Sequence, residues 1–241
     1  MDGFCSPFLV PRCPLLKAMP DILIADDHPL FREALQRAVL AALPLASVHS
    51  ADSVHGLLGL IEQFPEADLL LLDLHMPGAR GYSALAHIRG QYPGLPTIVV
   101  SGHEESPVAR RALAHGASAY IPKSTPGEGI VEAIRAVLEG DIWLPPSLLG
   151  GSTELKPDEA AAAARIATLT PQQFRVMTMI AEGLLNKQIA YELGVSEATV
   201  KAHMTAIMRK LSVNNRTQVA LAASHLAVEQ VALPVMPADE E

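Results

Sequence analysis

Cysteine is almost missing from this chain: two of its 241 residues are Cys, at positions 5 and 13. No disulfide can therefore form within the sequence that follows, a pattern expected of a reducing cytoplasm. Long apolar runs are missing too. None approaches the ~18 residues of a membrane span. The first 18 residues carry Pro7, Pro11 and Pro14 and lack the apolar centre of a signal peptide. A cytoplasmic location with no membrane partner is the expectation. His28, His75, His103 and His115 occur without HxH or HExxH spacing, so no zinc motif is readable. Nor is the chain short of apolar residues: a hydrophobic fraction of 49% excludes wholesale disorder.

What is present divides unevenly. The net charge of −8 conceals an acidic first part and a basic second one. Residues 1–150 hold 10 Lys and Arg against 16 Asp and Glu, whereas residues 165–228 hold 7 against 3. If one half meets a polyanion, it is the second. The boundaries read as an N-terminal extension over 1–19, a first domain over 20–143, a linker over 144–165, a second domain over 166–228 and an acidic tail over 229–241. The extension is either unstructured or lies upstream of a true start at Met19. Pro145-Pro146, Gly150-Gly151-Ser152 and Pro157 mark the linker. Ala160 to Ala164 within it favour a helix, with no sign of a site.

The first domain alternates short apolar runs with amphipathic segments. Ile22-Leu23-Ile24-Ala25 ends at Asp26-Asp27, and Leu69 to Leu72 end at Asp73. Thr97 to Val100 end at Ser101, and Ala119 to Pro122 are followed by Lys123. Such runs read as parallel strands buried on both faces, a fifth strand being placed near Ala46-Ser47-Val48. Helices are expected from Pro29, over Val54–Gln63, Ala84–Arg89 and Val108–His115, and from Gly127 to Leu138. Strand–helix alternation predicts an α/β doubly wound sheet, whose strands deliver working residues at their carboxyl ends. Three carboxylates would then share one pocket, which is costly unless a cation joins them; a hard divalent ion, Mg²⁺, suits the oxygens. Carboxylates, a metal, a hydroxyl and an ammonium are together what a phosphoryl group needs.

At this point the chain resembles the receiver domain of two-component response regulators, through Asp26-Asp27, the Asp73-Leu74-His75-Met76-Pro77-Gly78 turn, Ser101, Tyr120 and Lys123. The resemblance implies a flavodoxin-like sheet of order 2-1-3-4-5, and Pro122, unable to donate to a ladder, independently suits an edge strand. It also implies roles. Asp73 is the phosphoacceptor. Asp26, Asp27, Asp73 and the backbone carbonyl of His75 hold Mg²⁺. Ser101 and Lys123 grip the phosphoryl oxygens, and Tyr120 is the rotameric switch. The side chains of His75 and His103 are placed at the pocket mouth.

The second domain shows no strand pattern. Thr170-Pro171-Gln172-Gln173 is a capping box opening a helix to about Glu182, and Gly183 stops it. A short helix from Asn186 to Leu193 follows, then one capped by Ser196 and running to Lys210, with Val200, Met204, Ile207 and Leu211 as its buried stripe. A fourth spans roughly 216–227. Two helices joined by a tight Gly turn give a helix-turn-helix layout. Here the chain resembles the LuxR-type DNA-binding domain, through Leu169-Thr170, Asn186-Lys187-Gln188-Ile189-Ala190, Thr199-Val200-Lys201-Ala202-His203, Lys210-Leu211 and Arg216-Thr217.

Together the resemblances give the layout of NarL/FixJ-type response regulators: a transcription regulator, not a turnover enzyme. The implied partners are a histidine kinase, double-stranded promoter DNA, and a second copy of the chain when phosphorylated. Lys187, Thr199, Lys201, His203, Lys210 and Arg216 are the expected DNA contacts. The acidic first half is expected to restrain the second until phosphorylation. Two rivals were weighed on the residues. An aspartate-nucleophile phosphatase typically has a second Asp two residues after the nucleophile, where this chain has His75. A docking-only receiver would not need the intact acidic set.

Overall fold

A computed structural model describes residues 19–148, 155–224 and 226. The expectations for residues 1–18, for the Gly150-Gly151-Ser152 stretch and for the 229–241 tail lie outside the described residues.

Five strands form one parallel sheet: β1 (Asp21–Ala25), β2 (Ser47–Ala51), β3 (Leu69–Asp73), β4 (Thr97–Ser101) and β5 (Ala119–Pro122), in the order β2-β1-β3-β4-β5. The expected order is therefore observed, and Pro122 stands on an edge strand. The residues 75–76 and 79–80 form a small antiparallel hairpin directly after β3. Gly78 has φ 93° in its turn, the left-handed region open to glycine without steric cost. Between the strands lie α1 (Pro29–Ala42), α2 (Val54–Gln63), α3 (Ser83–Gln91), α4 (Ser106–Ala114) and α5 (Gly127–Glu139).

Both sheet faces are covered, which explains the unbroken apolar runs. Ile22, Ile24, Leu69, Leu71, Ile98 and Val100 face α1 and α5, while Leu23, Ala25, Leu70, Leu72, Val99 and Tyr120 face α2, α3 and α4. Leu71 has no exposed surface, with β1 and β4 pairing on its two sides. Leu71→Ala should accordingly lower unfolding free energy by about 2–5 kcal/mol in a urea titration, through lost burial and a cavity.

The second domain is helical: α6 (Pro157–Ala167), α7 (Pro171–Ala181), α8 (Asn186–Glu192), α9 (Glu197–Leu211) and α10 (Arg216–Ser224). The capping box at α7 is made in both directions, Gln173 N–H donating to Thr170 Oγ1 and Thr170 N–H to Gln173 Oε1. Ser196 caps α9 by accepting from Thr199 N–H. Val200, Met204, Ile207 and Leu211 are all buried, as their spacing predicts.

The linker contains more structure than its sequence suggested. Helix α6 lies on α3 of the receiver, and Gln91 donates to the Ala167 carbonyl at 2.7 Å. A Cβ placed on Gly90 would come within 2.4 Å of Ala167 Cβ, so the two helices meet backbone to backbone. The apolar cluster beneath α3 runs through Leu148, Ile166 and Leu169 to Phe174 and into the helix-turn-helix without interruption.

Candidate functional site

Four chain segments converge at the carboxyl edge of the sheet. Asp26 and Asp27 follow β1, Asp73 ends β3, Ser101 ends β4 and Lys123 follows β5. Asp26 is fully buried and Asp73 almost so, whereas Asp27 is partly open to solvent. Lys123 Nζ lies 2.8 Å from both Asp26 Oδ2 and Asp73 Oδ2, a single ammonium bridging two buried carboxylates. Backbone groups fix the remaining oxygens. His28 N–H donates to Asp26 Oδ1 at 2.7 Å and His75 N–H to Asp73 Oδ1 at 3.1 Å.

The electrostatics follow from this crowding. Burial pushes the Asp73 carboxyl above the ordinary carboxylate range, against the opposing pull of Lys123. Burial acts to lower the Lys123 ammonium, but the Asp26 and Asp73 carboxylates outweigh it and hold the group above the usual lysine value. Ser101 is buried, and its Oγ accepts from His103 N–H at 3.3 Å. Tyr120 lies inside the domain, its hydroxyl donating to the His103 carbonyl at 2.8 Å, and burial raises its pKa. The His75 and His103 rings stand 5.1 Å apart.

One residue at the pocket was missed by sequence reasoning. His28 is the N-cap residue of α1, yet its side chain makes no cap. Its Nδ1 instead sits 2.6 Å from Asp27 Oδ1 and 3.4 Å from Asp26 Oδ1. Adjacency to Asp26-Asp27 was the available signal. One donor atom from each of Asp26, Asp27, His28 and Asp73 falls within a sphere of mutual distances below 4.8 Å. Three carboxylates around a space that small fit a hard divalent cation.

The expected DNA contacts separate into two groups. Thr199 and Lys201 on α9 and Lys187 on α8 are exposed with the receiver in place, and His203 is half-buried. Lys210 and Arg216 are occupied elsewhere. Lys210 Nζ donates to the Thr168 carbonyl at 2.7 Å and to Gln173 Oε1 at 2.8 Å, tying α9 to the start of α7. Arg216 donates to Asn186 Oδ1 at 2.9 Å and to the Leu184 carbonyl, pinning the start of α8.

A doubly wound sheet with an acid pocket, followed by a helix-turn-helix, defines a signalling regulator made of a receiver and a DNA-binding unit. The sequence comparisons agree segment by segment. Residues 22–135 match the response regulator receiver domain, and residues 167–223 match the bacterial regulatory proteins of the luxR family. The chain belongs to the two-component response regulators of the NarL type. It is 38% identical over 213 residues to the glycerol metabolism activator of Pseudomonas putida, covering 86% of this chain and 96% of the relative. It is 32% identical over 203 residues to the nitrate/nitrite response regulator NarL of Escherichia coli K12, covering 83% and 93%. In fold it is similar to RcsB of Salmonella enterica serovar Typhimurium solved on promoter DNA, with a TM-score of 0.50 at 23% identity over 86% of this chain and 99% of that one.

Proposed function

We propose that Asp73 takes a phosphoryl group from a histidine kinase or a small phosphodonor, and that this changes how the helical domain engages promoter DNA. The observation that carries the reading is the Lys123 bridge between Asp26 and Asp73, at the one point where four strand ends meet. In the transfer, an Asp73 oxygen forms the new O–P bond while the P–N bond to the donor imidazole breaks. The electron pair leaves on that nitrogen, which is then protonated. Lys123, already aligned on Asp73, pairs with the incoming oxygens, and Ser101 bonds one of them.

Asp27 directly, Asp26 through water, Asp73 and the His75 carbonyl would hold Mg²⁺, which supplies charge neutralisation for the incoming group. Phosphoryl transfer ends at Asp73 and is not turned over beyond slow hydrolysis. Tyr120, whose hydroxyl is anchored to the backbone two residues beyond Ser101, is placed to register movement of that loop. Lys187, Thr199, Lys201 and His203 would meet DNA, with Lys210 and Arg216 acting through the helices they hold. The protein works in the cytoplasm; no helix among the described residues is long and apolar enough to cross a membrane. Phosphorylated receivers pair, and the pair reads two half-sites.

Incubation with acetyl phosphate should add one phosphoryl group by intact mass, and chelation of divalent ions should prevent it. An unchanged mass with Mg²⁺ present would leave only docking for the receiver.

A further inference from the structure

The face that α3 and α4 turn toward the helical domain carries ionisable groups that phosphoryl transfer does not use. His87 on α3 is completely buried and stacks on Phe174 of α7, ring centroids 4.1 Å apart and planes 4° from parallel. Neither of its ring nitrogens has a hydrogen-bond partner of ordinary geometry. No charged side chain of α3, α6 or α7 bears on its titration; the Ile166 backbone alone favours the charged form.

The second histidine, His115, directly follows α4. Its Nε2 lies 2.7 Å from Glu159 Oε1 of α6, and Arg111 of α4 holds that same oxygen at 3.0 Å. The Tyr82 ring, just before α3, stacks on His115 at 4.9 Å, with Arg111 over its other side. Glu159 itself is buried. Both histidines are thus sealed between the receiver and α6–α7, where Gly90 and Ala167 leave no space for water.

We infer that this joint is an acid-released clasp: His87 and His115 permit closure in their neutral forms, so mild acid frees the helical domain without phosphoryl transfer. The inference is independent of the function proposed for Asp73.

An imidazolium at position 87 would be a buried charge with no counter-ion. Desolvation accordingly lowers the His87 pKa from 6.5 to about 4 in the closed chain. Burial also lowers that of His115, Glu159 opposing and Arg111 reinforcing the effect. The sign is that of a base depressed by closure. Closure is unpenalised above the ordinary histidine value and weakens as pH falls below it, because the open form then binds protons that the closed form excludes. From His87 alone the open-to-closed ratio should rise about tenfold between about pH 7.5 and about pH 5.5.

Small-angle scattering of the full chain across that range tests the clasp, with far-ultraviolet circular dichroism confirming that helices persist. Wild type should expand on acidification and His87→Phe, which keeps the stack without a titratable group, should stay compact. Gly90→Val, whose side chain collides with Ala167, gives the expanded reference at both pH values. Wild type that stays compact at about pH 5.5, or His87→Phe that expands alongside it, overturns the proposal. Should His87→Phe not fold, the ring-proton titration of His87 in wild type decides. A midpoint below that of the same ring in Gly90→Val supports the clasp; equal midpoints overturn it.

Discussion

Asp73→Asn should incorporate no phosphoryl group from acetyl phosphate or from a cognate kinase, a fall from stoichiometric uptake to none by intact mass. The amide keeps the shape of the side chain and can still accept from His75 N–H and Lys123, so the domain should remain folded. It lacks the anionic oxygen that attacks phosphorus. Asp26 cannot substitute, since it is fully buried, and Asp27 points toward His28. Lys123→Met isolates the other half of the argument. Without the ammonium, the burial that already raises the Asp73 pKa is unopposed, so a larger fraction of the carboxyl is protonated near neutrality and uptake slows. The same shift fixes the pH dependence in wild type. Because the Asp73 pKa lies above its ordinary value, uptake should be lost on acidification sooner than for a solvent-exposed aspartate. Covalent phosphate on the Asp73→Asn protein would refute the assignment.

Gly90→Val should raise the DNA affinity of the unphosphorylated full-length chain and erase most of the gain that beryllofluoride, a phosphoryl mimic, gives to wild type. Thr199 and Lys201 are exposed while the receiver is docked, so restraint does not come from burying the α9 side chains. It comes from holding the helical domain in one orientation through α6, which hinders two copies from meeting two half-sites. A side chain at position 90 forces that contact apart. A coupling of about 1–3 kcal/mol, several-fold to about a hundred-fold in affinity, is the usual scale for linkage of this kind. Fluorescence anisotropy on promoter DNA, with and without the mimic, measures it. An unaltered response to the mimic in Gly90→Val would place the coupling elsewhere.

The sheet and its pocket were legible because each strand announces itself twice, by an apolar run buried on both faces and by a polar residue at its end. Helix starts were legible where a side chain caps them, as at Thr170 and Ser196. Contacts between distant segments were not. Glu159 stood in an alanine-rich linker and looked like a solvated charge; only the tertiary fold brings it to Arg111 and His115, forty-eight and forty-four residues away. Position 87 lies on a helix whose residues 83–88 are all buried, so no apolar face singled its histidine out. Lys210 and Arg216 have the composition of DNA contacts, yet their donors satisfy carbonyls inside the domain. A side chain's type fixes what it can bind, and the neighbours it acquires on folding fix what it does bind.

The backbone contact between Gly90 and Ala167 bears on modularity. Receivers and output domains are readily thought of as interchangeable parts joined by a tether. In this chain the seam is shaped residue by residue: a glycine where the partner helix touches, an imidazole stacked on a phenyl ring, an acid received by an arginine. A chimera that kept this receiver and took another output domain would inherit half of that seam. It would present an unfilled apolar face and an unpaired Arg111 to a surface never fitted to them. Transplanting either domain alone should therefore preserve its fold while discarding the communication, which is a property of the junction and belongs to neither part.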